Sequence, residues 1–477
     1  MQQRLDQLGS RYRLRHRNAA ADLRRLPDPA LPMGTDRYPQ IRHVVLLMME
    51  NHSFDNYLGT LGHGEGFPAE PPTNAATDGR TVAVHHFPST GQHPELPSQS
   101  WRASHLQFAD GRNDGFVRAV EAMDRDADPA MAMGYWDEHD LPFYAGLART
   151  FPLADRWFSS CLGPTFPNRR FLMAATANGL VDDVMASIVD YPRTGTIFDL
   201  LDRQGLSWVN YHHVPPLRLW RRHVTRSRPA RAARLAGRSF DPDLGRKLRG
   251  DVQTTTNLYP RGPVRTVTHL RHIESFFADA AAGKLPAVSL VDPDYLTCSE
   301  ENPQDVRAGE GFSAAVIDAV MRGPGWPHTL LIWFYDEHGG YYDHVPPPAA
   351  VEPDDVPPHT LLDGSPPRRW LLRRTPLARR VRRDDEAPGR YDRYGFRIPA
   401  VVVSPYARPG HVSSTVYDHT SATRLIEEKW NLPPLTRRDA AATAPWDMLD
   451  LDAPPAFLDP PRLPAPATPW TLPTTES

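Results

Sequence analysis

Five short runs of apolar, β-branched and aromatic residues recur along the chain, and polar, glycine or proline residues follow each of them. The runs are HVVLLMM (43–49), SWVNY (207–211), AVSLVDP (287–293), HTLLIWFYDE (328–337) and IPAVVVSPYA (398–407). Near-continuous apolar runs of this length are typical of strands that are covered on both faces, as in a parallel sheet. We therefore expect a buried sheet in which most strands run in the same direction.

Helix-forming stretches lie between these runs, for example 312–323 (FSAAVIDAVMRG) and 420–430 (TSATRLIEEKW). Strands that alternate with helices predict an α/β sandwich with a largely parallel central sheet. The chain contains no run of 18 apolar residues that would cross a membrane, and its net charge of -3 argues against a nucleic-acid partner.

The distribution of arginine and proline predicts one main domain, 36–440, between an N-terminal arm, 1–35, and a proline-rich tail, 441–477, that is extended or disordered. Arginine-rich insertions are expected at about 215–250 and 345–395. Either they are solvated or partner-contacting arms, or they contact anionic headgroups or phosphate substrates, which would bring the protein to a membrane surface. The first residues lack the apolar segment of a secretory signal, so we expect a cytoplasmic protein or an exported form whose signal has been removed.

Two of the predicted strands end in oxygen-bearing side chains. Glu50 and Asn51 follow the first strand, and Asp336 and Glu337 end the fourth. Ligands bind at the carboxyl ends of strands in open α/β sheets, so three carboxylates and an amide meet at one edge if these strands are neighbours. Such a group needs a positive charge, and oxygen ligands favour Mg²⁺, Mn²⁺ or Ca²⁺, with Zn²⁺ as an alternative. The two strand ends together predict a metal site, whereas either carboxylate alone would fit a helix cap better.

A Gly-Pro-Thr turn precedes another helix-forming stretch and places Thr165 at or just before a helix N-terminus. Free backbone N–H groups favour a phosphate or an alkoxide there. From the residues alone, Thr165 is better explained as a helix cap than as a nucleophile. Asn168 and Arg169 follow closely, and phosphate binding and a structural role at the helix start explain them equally well.

Seven motifs extend this pattern over about residues 40–432. They are MENHSFDNYLGTL, GPTFPNRRF, LVDPDY, DVRAGEGF, FYDEHGGYYDHVPPP, GFRIPAVVVSPYA and YDHTSATRLIEEKW. Their identity and order resemble those of the bacterial phosphoesterase family that contains phosphatidylcholine-type phospholipases C and a related acid phosphatase. The resemblance implies an alkaline-phosphatase-like three-layer α/β sandwich with long loop insertions. It also implies one divalent metal ion, with ligands at Glu50, Asn51, Asp336, Glu337 and Thr165, the last of these also being the nucleophile.

The chain departs from the family pattern where a proton donor for the leaving group is expected. His105 matches one family histidine and is our candidate for this catalytic acid, with the ordering of a loop as the alternative. Ser98 and Gln99 stand where the resemblance implies Asp-His, and Glu301 stands where it implies a histidine. The identity of the proton donor is therefore open.

Three further histidines lie in or near the motifs. His338 and His344 are expected to orient the metal-binding carboxylates. His419 is expected to make a structural hydrogen bond or to support a ligand, since it directly precedes a helix.

These features predict a metal-dependent phospholipase C that acts on a phosphatidylcholine-like lipid through a phosphoryl-threonine intermediate. The alternatives are a phosphomonoesterase of the acid-phosphatase type, acting on small phosphate esters, and a degenerate protein that only binds a phospho-ligand. A sulfatase is disfavoured, because Leu and Gly separate Cys161 from Pro164 and the C-x-P-x-R motif is absent there.

Overall fold

The structure is a computed structural model that describes residues 25–93, 97–124, 126–183, 192, 194–213, 269–360 and 389–472. The insertion predicted at about 215–250 lies outside these residues, as does most of the one at about 345–395. The N-terminal arm is described only from residue 25. The predicted domain boundaries therefore stay predictions.

Strands and helices are interspersed through the described chain. The strands are β1 (His43–Met49), β2 (Thr73–Ala75), β3 (Thr81–Ala83), β4 (His85–His86), β5 (Gly134–Tyr135), β6 (Leu153–Ala154), β7 (Trp208–His212), β8 (Leu270–His272), β9 (Val288–Val291), β10 (Thr329–Tyr335), β11 (Ala400–Val403) and β12 (Val412–Ser413). The α-helices are α1 (Phe54–Leu58), α2 (Trp101–Phe108), α3 (Phe116–Met123), α4 (Pro142–Thr150), α5 (Thr165–Ala174), α6 (Ile197–Arg203), α7 (Ile273–Ala281), α8 (Val306–Arg322), α9 (His419–Lys429) and α10 (Arg437–Ala441).

An eight-stranded sheet with the order β12-β6-β11-β10-β1-β9-β7-β8 forms the centre of the fold. Pairing is parallel from β10 through β8, whereas β11 is antiparallel to both of its neighbours. The largely parallel sheet confirms the predicted architecture. The direction of β11 is not visible in its composition, because an apolar strand buried on both faces looks the same in either direction.

Helices flank the sheet and complete the α/β sandwich. Helices α4, α7 and α8 pack in one group, and α5, α6, α9 and α10 pack in another. Every residue of β10 and all of β1 after its first residue are buried, so the central strands are enclosed on both faces, as their apolar runs predict. In the part of the chain that the structure describes, no helix is long and apolar enough to cross a bilayer.

The C-terminal tail has no helix or strand between residues 453 and 472, yet it is held against the core. The Trp470 ring stacks on Phe277 with centroids 5.5 Å apart and meets Phe312 edge-on at 5.3 Å. The Ala467 N–H donates to Glu310 Oε2 at 2.9 Å. The described part of the tail is therefore an ordered wrap.

The sheet brings the predicted metal ligands to one edge. Strands β1 and β10 are adjacent and pair residue by residue up to Met49 opposite Tyr335. Glu50 and Asp336 follow directly, so both leave the sheet at the same edge. Strand β9 lies on the other side of β1, and Asp292 follows it at this edge too. The prediction that the two strand ends are neighbours is confirmed.

Candidate active site

Asn51 itself turns the chain at the end of β1. Its φ is 69°, in the left-handed region that asparagine tolerates better than most residues. Its backbone N–H donates to Asp336 Oδ1 at 3.1 Å. Its side-chain Oδ1 accepts a hydrogen bond from the Thr165 hydroxyl at 3.4 Å. Asn51 thus connects the two strand ends with the start of α5, and the turn needs no glycine.

Thr165 is the first residue of α5 and is buried. The helix has no side-chain cap from the preceding Pro164. Among the described residues, the hydrogen-bond partner of the Thr165 hydroxyl is the side chain of Asn51. The predicted position at the helix start is confirmed, whereas the helix-cap role that the residues alone favoured is not observed, since Thr165 follows the N-cap residue Pro164.

Three fully buried carboxylates, Glu50, Asp336 and Glu337, lie at the two strand ends that Asn51 connects with this hydroxyl. Both oxygens of Glu50 and Oε1 of Glu337 have no hydrogen-bond partner among the described residues. Burial, followed by repulsion from Asp336, raises the pKa of Glu50 and of Glu337 well above the usual range. Carboxylates buried in this way are unstable as anions unless a positive charge accompanies them.

Arg169 supplies part of that positive charge. Its Nε donates to Asp336 Oδ2 at 3.1 Å and its Nη1 donates to Asp292 Oδ1 at 3.2 Å. Its Nη2 lies 3.5 Å from Glu50 Oε1 without making a hydrogen bond to it. One guanidinium therefore contacts three carboxylates, while Glu337 adds the charge of a fourth nearby carboxylate. The unpaired oxygens and the excess of negative charge fit a divalent cation with oxygen ligands.

Asn168 holds the turn that leads into α5. Its Oδ1 accepts from the Cys161 N–H at 3.0 Å, and its Nδ2 donates to the carbonyl groups of Gly163 at 2.8 Å and Pro164 at 3.1 Å. Phosphate binding was one of the two roles predicted for Asn168 and Arg169, and a structural role at the helix start was the other. The contacts of both side chains hold the site together, and their contact with substrate stays a prediction.

His105 lies in α2, where its Nδ1 donates to the Trp101 carbonyl at 2.7 Å and its ring packs on the indole with centroids 4.7 Å apart. Burial lowers the pKa of His105. No hydrogen bond or ion pair of the described residues connects it with Thr165 or Asp336. Its role as proton donor therefore stays a prediction.

Two other histidines contact the carboxylate segment after β10. The His338 Nδ1 lies 3.3 Å from Glu337 Oε2, and its Nε2 donates to Gln107 Oε1 at 2.8 Å. The His419 Nε2 donates to the backbone carbonyl of Asp336 at 2.7 Å. These contacts match the expected supporting roles of both histidines. Sequence reasoning missed Gln107, since a glutamine in a helix carries no signal of its own.

Glu300, a buried carboxylate of the core, fixes the segment that carries Glu301. Its side chain accepts hydrogen bonds from the hydroxyl groups of Tyr57 at 2.8 Å, Tyr144 at 2.6 Å and Tyr335 at 2.5 Å. Burial raises the pKa of Glu300 to about 8. After burial and Asp336, the charge of Glu301 also contributes to the raised pKa of Glu50. Glu301 therefore lies near the site, at the position where the resemblance implies a histidine.

Arg397 is the centre of a second buried charge cluster, which holds the loop after β10. Its guanidinium donates to Asp343 Oδ1 at 2.8 Å and to Asp55 Oδ1 at 2.9 Å. The His344 Nδ1 lies 2.6 Å from Asp55 Oδ2, so His344 supports α1. We expected it to orient the metal-binding carboxylates instead. Asp55, Asp343 and His344 have the spacing of metal ligands, but Arg397 already supplies the positive charge. We therefore interpret this cluster as structural.

Replacing Arg397 by methionine is expected to lower the free energy of unfolding by about 3–5 kcal/mol, because two buried carboxylates lose their cation. Urea unfolding measures the change. Arg393→Met is the control, since the Arg393 guanidinium is half-buried and donates to the Pro347 carbonyl at 2.9 Å. It should lower the free energy by about 1 kcal/mol or less. Equal losses in the two variants would contradict the structural role of Arg397.

Among the described residues, a second group with the spacing of metal ligands, His86, Asp137 and Asp140, lies nearer the surface. The His86 Nε2 is 2.6 Å from Asp140 Oδ2, which joins β4 to the turn before α4. No hydrogen bond in the described ranges connects this group with Thr165. We therefore do not include it in the candidate active site.

Sequence similarity connects the chain with a known family and with several named proteins. The phosphoesterase family matches residues 41–433. The chain is 30% identical over 478 residues to phospholipase C B of Mycobacterium tuberculosis, with 91% of this chain and 83% of that protein covered. It is 29% identical over 434 residues to non-specific phospholipase C6 of Arabidopsis thaliana, with 84% and 71% covered. It is 26% identical to the hemolytic phospholipase C of Pseudomonas aeruginosa, with 85% and 54% covered.

Proposed function

The chain belongs to the phosphoesterase family and is a phosphoric ester hydrolase of the phospholipase C type, and from this premise we propose that it is a metal-dependent enzyme that cleaves the phosphodiester of a phosphatidylcholine-like lipid through a phosphoryl-threonine intermediate. The observation that carries the proposal is the set of buried, unpaired oxygens of Glu50 and Glu337 at the strand ends that Asn51 connects with the Thr165 hydroxyl. The lipid substrate is inferred from the names of the relatives.

Five residues would hold one divalent ion, namely Glu50, Asn51, Asp336, Glu337 and Thr165. When bound, the ion would favour the ionised form of the Thr165 hydroxyl and neutralise negative charge on the phosphoryl oxygens. Oxygen donors of this kind favour Mg²⁺, Mn²⁺ or Ca²⁺.

The Thr165 hydroxyl is the nucleophile in this reaction. Its attack forms a bond between Oγ1 and phosphorus and breaks the bond from phosphorus to the glycerol oxygen, which takes up a proton and leaves as diacylglycerol. Water then hydrolyses the threonine ester, which releases the phosphorylated headgroup and restores the hydroxyl. The N-terminus of α5 orients its partial positive charge towards the phosphate during both steps.

Arg169 and Asn168 position these groups. Arg169 fixes Asp336 by a direct hydrogen bond, and Asn168 holds the backbone of Gly163 and Pro164 just before the nucleophile. Because both side chains are buried and bonded on several sides, the nucleophile and the carboxylates keep one arrangement before the substrate binds.

Metal content and substrate preference test the proposal. We expect one divalent ion per purified chain, release of diacylglycerol and phosphocholine from phosphatidylcholine, and faster turnover of p-nitrophenyl phosphorylcholine than of p-nitrophenyl phosphate. The acetate ester p-nitrophenyl acetate, which has no phosphorus, serves as the control substrate and should not be turned over in a metal-dependent way. Faster turnover of the monoester would favour the acid-phosphatase alternative, and inactivity with every metal would refute the proposal.

A further inference from the structure

The start of α5 offers few backbone donors to a phosphate. Pro164 and Pro167 have no N–H, so Thr165 and Phe166 carry the free N–H groups of the first turn. The N–H of Phe166 donates to Asp183 Oδ1 at 2.8 Å. A carboxylate thus engages one of the two backbone donors beside the nucleophile.

Asp183 is exposed as a residue, but burial of its carboxyl group in acidic surroundings raises its pKa to about 7. The charged groups that act most strongly on it are the carboxylates of Asp336, Glu301 and Asp182. Asp183 also acts on the buried carboxylates Glu50 and Glu337, which are the predicted metal ligands. The negative charge of Asp183 therefore lies close to the position at which a phosphate would approach Thr165.

We propose that Asp183 is a specificity-determining residue that disfavours doubly charged phosphates and so favours phosphodiesters over phosphomonoesters. The inference rests on the proposed function, since it requires a phosphate to bind at the start of α5. A phosphodiester carries one negative charge, whereas a monoester carries two above its second pKa of about 6. A carboxylate beside the phosphate repels the second charge in addition to the first, so the monoester binds less tightly.

The size of this discrimination follows from Coulomb's law. At about 6 Å, with an effective dielectric constant of about 20–80, one additional charge corresponds to roughly 3- to 100-fold in binding. Glu301 acts in the same direction, because it places an anion where a histidine, which can become a cation, is implied by the resemblance.

Asp183→Asn tests the proposal, because asparagine keeps an acceptor for the Phe166 N–H and removes the charge. We expect kcat/KM for p-nitrophenyl phosphate, relative to that for p-nitrophenyl phosphorylcholine, to rise on the order of tenfold at about pH 8, where the monoester is a dianion and Asp183 is ionised. The Kd of inorganic phosphate, measured by calorimetry on the metal-loaded protein, should fall by a similar factor. Asp183→Ala should change both quantities in the same direction.

Asp128→Asn is the matched control. Asp128 is also exposed, and its Oδ1 also accepts one backbone N–H, from Ala130 at 3.0 Å, at the start of a short helix. This variant should leave the substrate ratio and the Kd of phosphate unchanged.

An unchanged ratio and an unchanged Kd in both Asp183 variants would overturn the proposal, as would an equal change in Asp128→Asn. If the wild type hydrolyses neither ester, the proposed function fails. The Kd of phosphate still decides the role of Asp183 in that case, because tighter phosphate binding by Asp183→Asn supports it and unchanged binding refutes it.

Discussion

Thr165→Ala is expected to lower kcat for phosphodiester hydrolysis by on the order of 10³-fold or more, because the reaction loses the group that forms the covalent intermediate. The methyl group of alanine fits the buried position at the start of α5, so the variant should fold. Initial rates with p-nitrophenyl phosphorylcholine measure the loss. Acid quenching followed by mass spectrometry should detect the phosphorylated headgroup on Thr165 in the wild type and no adduct at this position in the variant.

Two further variants separate the nucleophile from a general effect of losing a hydroxyl. Thr165→Ser keeps a hydroxyl and should retain measurable turnover. Thr150→Ala removes a hydroxyl that donates to the Gly146 carbonyl at 2.7 Å in α4, and it should keep turnover near the wild-type level. If Thr165→Ala retains more than about a tenth of wild-type kcat, the assignment of the nucleophile is wrong.

Glu50→Gln is expected to have opposite effects on stability with and without metal. In the metal-free protein, Glu50 either stays ionised, buried and repelled by Asp336, or takes up a proton. Both states cost free energy of folding. Glutamine avoids both, so the metal-free variant should be more stable than the wild type by about 1–3 kcal/mol. With excess Mn²⁺ or Ca²⁺, the wild type should gain stability that the variant does not, because a ligand that binds only the folded state stabilises it.

The same variant should lose turnover by on the order of 10²-fold or more, and a chelator should abolish turnover of the wild type. Thermal unfolding with and without metal, together with initial rates, measures both effects. The control Glu138→Gln removes an exposed carboxylate that pairs with Arg149, and it should leave the stabilisation by metal unchanged. Equal stabilisation by metal in Glu50→Gln and the wild type would contradict the predicted metal site.

The central strands and the start of α5 were predictable because their signals are local. Apolar runs predict buried strands, and observed β1 has the same bounds as its predicted run, 43–49. The Gly-Pro-Thr turn likewise predicts a helix start at Thr165. In each case the residues that carry the signal are neighbours in the chain, so periodicity and turn chemistry suffice.

Helix α8 shows where local signals fail. The helical run was predicted at 312–323, whereas the helix spans Val306–Arg322 and contains Gly309 and Gly311. Glycine disfavours helices, so intrinsic propensity alone favours a later start. Packing requires glycine at both positions. A Cβ atom on Gly309 would lie 2.1 Å from the Glu300 side chain, and a Cβ atom on Gly311 would lie 2.1 Å from the Thr468 carbonyl. Tertiary contacts override the propensity.

The supporting residues of the site were invisible for a related reason. Asp292 is one of many acidic residues that follow an apolar run, and its contact with Arg169 spans 123 positions. Gln107 reaches His338 across 231 positions. Sequence reasoning had no means of pairing these residues without the order of the strands.

The amino-acid sequence by itself determined the buried strands, the oxygen-bearing residues at their ends and the hydroxyl at the start of a helix, since each depends on residues close together in the chain. Only the tertiary structure decided which carboxylates receive a cation from the protein. Asp55 and Asp343 are bonded by Arg397, whereas both oxygens of Glu50 stay unpaired. The physical reason is that charge compensation depends on distances between residues remote in the chain, and the order and register of the sheet set those distances.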